Sequence, residues 1–157
     1  MLKDYQITLL ELLEQLEGEI SRLYDLFAVK FPAYRTLWLQ MRDEEIKHAD
    51  TIHQLNIHAR EGSVMFDEKM TKTYTVKAVI DDVRNKYKKT EQDQYALINA
   101  LAFSVSLEQS IIEHKFYTYF SSDNPEIMRM INDIIQDTAS HEAKIKDALE
   151  QEKRKGR

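Results

Sequence analysis

Met41-Arg42-Asp43-Glu44-Glu45-Ile46-Lys47-His48 is the stretch that decides how this chain reads. It carries a Glu-x-x-His pair, Glu45 and His48, inside an otherwise apolar stripe of Trp38, Met41, Ile52 and Leu55. Steps of three and four residues put all six side chains on one face of a helix. With four apolar members, that face is expected to be buried. A buried carboxylate is costly unless something neutralises it. An imidazole stands one turn away, and a metal ion would satisfy both groups at once.

Outward from this stretch, the same pattern recurs. A helix expected over Asp4–Phe31 carries the stripe Leu10, Leu13, Glu17, Ile20, Tyr24, Phe27, in which Glu17 is the one acidic member. Glu11, Glu14 and Glu19 fall off it and are expected to face water. Gly18 sits mid-helix, where its missing side chain would allow a close helix approach at a cost of about 1 kcal/mol against alanine. Pro32 ends this helix and suits the first turn of the next, expected over Ala33–His58. Residues 60–74 lack a clear period and read as a connection. A short helix follows over Val76–Lys88, and together these form a long crossover spanning 60–90. A third long helix is expected over Gln92–Ser121, with the stripe Leu101, Val105, Glu108, Ile112, Phe116 and Tyr117 beside it. Ser121-Ser122-Asp123-Asn124-Pro125 is a strong breaker with capping residues. The fourth helix, Glu126–Gln151, carries Ile127, Ile131, Ile134, Thr138, His141, Ile145, Ala148. The chain therefore reads as an all-α four-helix bundle, one domain over 1–151 made of two helical hairpins joined by the crossover. Residues 152–157 read as a frayed basic tail.

Depth matching ties the polar residues together. In an antiparallel pair, residues equidistant from the turn lie at one depth. Glu17 and Glu45 are symmetric about Phe31, and Glu108 and Thr138 about Asp123. His48 and His141 each lie one turn further on. A shift of 93 residues also superposes Tyr24 on Tyr117, Phe27 on Phe120, Pro32 on Pro125 and His48 on His141. The repeat is imperfect, because the same shift sets Glu45 against Thr138 and Glu17 against Ser110.

Composition narrows the function classes. The 157 residues include no cysteine, which excludes disulfides and thiolate-ligated zinc or iron. A net charge of −5 argues against general nucleic-acid binding. No apolar run is long enough for a membrane span, and the N-terminal residues do not form a signal peptide, so the cytoplasm is the expected compartment.

Glu17-Gly-Glu-Ile-Ser-Arg-Leu-Tyr24, followed by Glu44-Glu45-Ile-Lys-His48-Ala, resembles the ferritin-like superfamily and rubrerythrin-like proteins in particular. The second half, Leu107-Glu108 with Thr138-Ala-Ser-His141-Glu, is similar but weaker. The resemblance implies a di-iron carboxylate site, with manganese, a mixed pair or a single metal as alternatives. Glu17 would be a terminal ligand, Glu45 a bridging carboxylate and His48 a terminal imidazole, while Glu108 and His141 would serve the second metal. The family's last bridging glutamate falls at Thr138, a poor ligand. Asp137 and Glu113 are spare carboxylates that would have to reach in. Tyr24 and Tyr117 would donate hydrogen bonds to the ligands. Three carboxylates fall short of the charge of two divalent ions, so the second position should be the weaker. The implied activity is reduction of dioxygen or peroxide with oxidation of iron. Without cysteine the electrons would come from an external donor. A homodimer is the expected assembly, and neither nucleic acid nor membrane is an expected partner.

A blander account stands beside this one. The carboxylates, imidazoles and tyrosine hydroxyls can satisfy each other without metal, leaving a bundle that serves as a structural or interaction module. Thr138 favours that account. Off the stripes, His53 and His114 are expected in solvent and His58 as a helix cap, and Trp38 as a core or interface anchor.

Overall fold

A computed structural model describes residues 2–66 and 72–156. The described residues are mostly helical. Helix α1 spans Asp4–Lys30 and α2 Arg35–Arg60, with a single 3-10 turn, Pro32–Tyr34, between them. Helix α3 covers Thr73–Glu91, α4 Leu97–Glu113 and α5 Pro125–Lys155. Two short strands, β1 (Met65–Phe66) and β2 (Phe120–Ser121), pair antiparallel with Met65 opposite Ser121.

Helix α1 packs along α2 and α3, α4 along α5, and α2 against α5. Contacts at the two ends give the directions. At one end Lys30 meets Asp93 at 2.7 Å, and the Tyr34 hydroxyl donates to Glu152 at 2.8 Å. At the other end the strands pair and the Ser122 hydroxyl donates to the Ser63 carbonyl. So α1, α3 and α5 run one way and α2 and α4 the other. The crossover climbs the length of the molecule, and α3 is the part that climbs.

The stripes read from the sequence are the buried faces of α1, α2 and α5; on α4 the buried face turns toward Ser104, Leu107 and Ile111, and Ile112, expected on the stripe, is exposed. Leu10, Leu13, Ile20, Tyr24 and Phe27 of α1 and Trp38, Met41, Ile52 and Leu55 of α2 are all buried. Trp38 fills the space between Tyr24 and Phe27, with ring centroids 5.7 and 4.9 Å away. Helix α1 has a second apolar row, Leu9, Leu16 and Leu23, one heptad apart and also buried. It extends the stripe toward the side where α3 packs. There Glu19 pairs with Arg84 at 3.6 Å, and Arg22 lies over the Tyr87 ring at 4.9 Å. Glu19 is therefore largely covered rather than in water. Gly18 marks no close approach, since a Cβ there would meet nothing within 4 Å.

The third long helix differs most from expectation. Expected over 92–121, it is α4 at 97–113. At its C-terminal end Lys115 adopts φ 53°. The Phe116 amide donates to Ile111 O and the Lys115 amide to Ile112 O. This closed turn satisfies carbonyls that the helix leaves open. Glycine usually signals it; here lysine occupies the left-handed position, so the sequence carries no stop signal. Residues 114–119 are turns, leading into β2 and an aromatic cluster of Phe66, Tyr119 and Phe120.

The expected frayed tail is also corrected. Helix α5 continues to Lys155, with Lys153, Arg154 and Lys155 in its last turn. Cations there favourably meet the negative end of the helix dipole. Arg157 and residues 67–71 of the expected connection lie outside the described residues. His58 does not cap α2 with its side chain; Ser63 N donates to its backbone carbonyl, while its ring faces Glu61 at 3.6 Å. Among the described residues, no helix is long and apolar enough to cross a membrane.

Candidate metal centre

Four helices each send acid or imidazole side chains to one level of the core. Glu17 comes from α1, Glu45 and His48 from α2, Glu108 from α4 and His141 from α5, and all five are buried. They form two groups of three that share Glu45: Glu17–Glu45–His48 and Glu45–Glu108–His141. Within each group one ligand atom per residue lies within 4.8 Å of the others. His48 Nδ1 is 3.3 Å from Glu45 Oε2, and His141 Nδ1 is 2.9 Å from Glu45 Oε1. The two rings lie nearly parallel, 5.8 Å apart.

The outer nitrogen of each imidazole is held by a carboxylate from the opposite helix. His48 Nε2 donates to Asp137 Oδ2 of α5 at 2.9 Å, and His141 Nε2 donates to Glu44 Oε2 of α2. An ionised carboxylate only accepts, so Nε2 carries the proton in both rings. That leaves both Nδ1 atoms turned inward on Glu45. Neither makes a hydrogen bond, nor do Glu17 Oε2 and Glu108 Oε2, all four being buried. Lone pairs of two imidazoles and three carboxylates thus converge on one space. Such a set repels itself unless cations enter it, as protons or as metal.

The tyrosines exchange across the core. Tyr24 of α1 donates to Glu108 Oε1 at 2.6 Å, and Tyr117, just past α4, donates to Glu17 Oε1. Burial and then the charges of Glu108 and Glu17, respectively, raise the two phenols well above their ordinary range, so both stay protonated donors. In the metal-free protein protons take the cation's place. Burial and then the Glu45 charge push Glu17 well up, toward its neutral form. The same two causes raise Glu108. Burial also opposes ionisation of Glu45, but its contacts with Glu17, His141 and His48 outweigh that and hold it below the usual carboxylate range. Burial disfavours the charged form of His141, yet Glu108 and Glu45 outweigh it and push its pKa up to about 11. His48 is raised in the same manner, mainly by Glu45.

The residues present fit a pair of transition-metal ions. They offer a nitrogen-and-oxygen donor set with no sulfur, a shared central carboxylate, and inward nitrogens whose tautomer is already fixed. The two spare carboxylates are placed otherwise than as ligands. Asp137 lies outside the two groups of three and grips the far nitrogen of His48. Glu113 is exposed at the C-terminal end of α4. Thr138 is buried one turn before His141, but its hydroxyl donates back to Ile134 O at 2.8 Å. His53 and His114 are exposed, as expected.

Glu44 was missed, and a signal for it was present. It precedes His48 by four residues as Asp137 precedes His141, and the 93-residue shift superposes Glu44 on Asp137. These two carboxylates add negative charge just behind the imidazoles and reduce the shortfall counted from Glu17, Glu45 and Glu108 alone.

No protein-family model, curated protein or solved structure matches this chain. The site's geometry and chemistry therefore carry the functional reading.

Proposed function

We propose that this chain is a ferritin-like protein of the rubrerythrin kind, which binds two transition-metal ions and reduces peroxide or dioxygen as iron is oxidised. The observation that carries the reading is the pair of three-residue groups sharing Glu45, each closed by an inward Nδ1 whose partner nitrogen is already held. Glu17, Glu45 and His48 would hold one ion, and Glu45, Glu108 and His141 the other. Iron is the first choice, with manganese or a mixed pair next on the same donor preference. The helix order supports the fold assignment: two antiparallel pairs joined by a crossover that climbs the molecule.

The bound ions would supply the electrons and the open positions for the oxidant. The chain's own residues supply the setting. Glu44 and Asp137 fix the tautomer and orientation of the imidazoles and raise their basicity. Tyr24 and Tyr117 hold Glu108 and Glu17 in place. The apolar residues above and below exclude water. Thr138 leaves the α5 side of the site without a carboxylate, so an oxidant meets less competition there. With no cysteine in the chain, turnover would draw electrons from a separate carrier, and the working assembly would be a homodimer in the cytoplasm.

Metal content per chain, measured by elemental analysis after expression with iron and manganese supplied, tests the reading. Close to two equivalents supports it. One equivalent points to an asymmetric site on Glu17, Glu45 and His48. None, in a folded protein, favours a second reading. In that reading the cluster is a self-satisfied polar network within a structural or interaction module. The observation on its side is Thr138, tied to its own helix where a fourth carboxylate would sit. It requires stability independent of metal and no oxidase activity.

A further inference from the structure

Between Leu97 and Ile112 the one charged residue of α4 is Glu108, which is buried at the candidate metal centre. The helix nonetheless has a second apolar row. Ile98, Ala102, Val105, Gln109 and Ile112 follow steps of four and three, the spacing of a coiled-coil seam. Ile98 and Ile112 are 41% and 43% exposed, Ala102 is exposed and Val105 is half-buried. Gln109 is tied to Glu142 of α5 at 3.2 Å. A helix face that meets water carries charged and polar side chains; an open apolar row without charge marks a surface that another apolar surface covers. Three features make that surface a second copy of the chain. The row is symmetric, with Ile98 and Ile112 seven residues to either side of Val105. Antiparallel pairing about a two-fold axis sets Val105 on its own image and Ile98 against the other copy's Ile112, the pattern of an isologous interface. Beside Ile112 a groove of about 430 Å3 opens between α4 and α5, with Ile111, Ile135 and Ala139 in its lining. It has room for an isoleucine side chain, so Ile98 is the knob, the groove is the hole, and the axis repeats the fit twice. Without charge on the row, two copies do not repel each other, and an acidic or basic partner finds no counter-charge.

We propose that this row of α4 is the homodimer interface: two copies pack α4 on α4, antiparallel, with the two-fold axis at Val105 and each Ile98 in the other copy's groove. The proposal rests on the homodimer named in the reading above and assigns its surface. The 17 residues of α4 span about 25 Å. With α5 beside it the face is about 20 Å wide, or roughly 500 Å2 in outline. That approaches the scale of about 800 Å2 of accessible surface per partner found in stable complexes.

Two measurements on the full chain test this. The chain has no cysteine, so a single introduced thiol can cross-link only to its own image. Val105→Cys is oxidised mildly and the covalent dimer read on a non-reducing gel. Ile46→Cys, exposed on α2 and outside the row, is the control. The second measurement is molar mass by light scattering across a dilution series, for the unaltered chain and for Ile112→Glu, with circular dichroism to show that the variant is folded. The expected result is a dimer that cross-links at Val105, where the two α-carbons come within disulfide reach, and not at Ile46. Ile112→Glu, which puts an unpaired carboxylate into the contact twice, should raise the dissociation constant at least about a hundredfold. A dimer that does not cross-link at Val105, or that Ile112→Glu leaves intact, overturns the interface and leaves the homodimer reading standing. A monomeric unaltered chain overturns both.

Discussion

Glu45 is the residue on which the site depends. It touches both imidazoles and belongs to both three-residue groups. Glu45→Ala is therefore expected to remove both metal equivalents, whereas His141→Ala should remove one. Elemental analysis of the folded variants checks this, and two retained equivalents in Glu45→Ala would refute the shared role. His48→Ala should likewise lower occupancy. Protons and metal compete for the same atoms. In the metal-free protein His141 holds its proton up to about pH 11, against about 6.5 in the unfolded chain. Its contribution to stability is fully present below about pH 6.5 and is lost as the pH rises through about 11. The proton must leave for metal to bind, so metal affinity should rise with pH over that window and binding should release protons. Calorimetry in buffers of different ionisation heat measures the release; a value of zero would contradict the assigned protonation. Thr138→Glu tests the gap on α5. It should lower the melting temperature of the metal-free protein, because it buries another carboxylate. With metal present it should raise it.

At the level of elements, the turn after α4 explains why the repeat is imperfect. Glu17 and Tyr24 are seven residues apart on a continuous helix, while Glu108 and Tyr117 are nine apart. The helix stops at Glu113, and the chain covers the remaining distance in turns. The two extra residues let Tyr117 reach Glu17 as Tyr24 reaches Glu108. Lys115 pays for this geometry by holding φ 53°, a region that costs a β-carbon-bearing residue roughly 1 kcal/mol. Lys115→Gly is expected to stabilise the protein by about 1 kcal/mol, read as a shift of the urea midpoint at constant slope. Gly18→Ala should gain a similar amount, about 1 kcal/mol, because the added methyl meets nothing. A loss there would mean that another surface covers this part of α1.

For the whole molecule, metal and folding should be linked. The ligands come from α1, α2, α4 and α5, so an unfolded chain has no preformed site. Free metal at a hundred times its dissociation constant should add about 2.7 kcal/mol per site, or roughly 5–10 °C in melting temperature at this size. A melting temperature indifferent to iron and manganese would favour the structural module. The stripes of α1, α2 and α5, the proline turns and the common depth of Glu17, Glu45, Glu108, His48 and His141 were legible along the chain. Helix period and hairpin symmetry are local rules, and one residue string contains them. The early end of α4, the packing of α3 on α1 and the crossed pairs His48–Asp137 and His141–Glu44 were decided by the tertiary structure. Each depends on side chains that meet from distant segments or, in the case of Lys115, on a backbone state that its residue type does not announce. The same holds for the groove beside Ile112, which exists only where α4 and α5 come together.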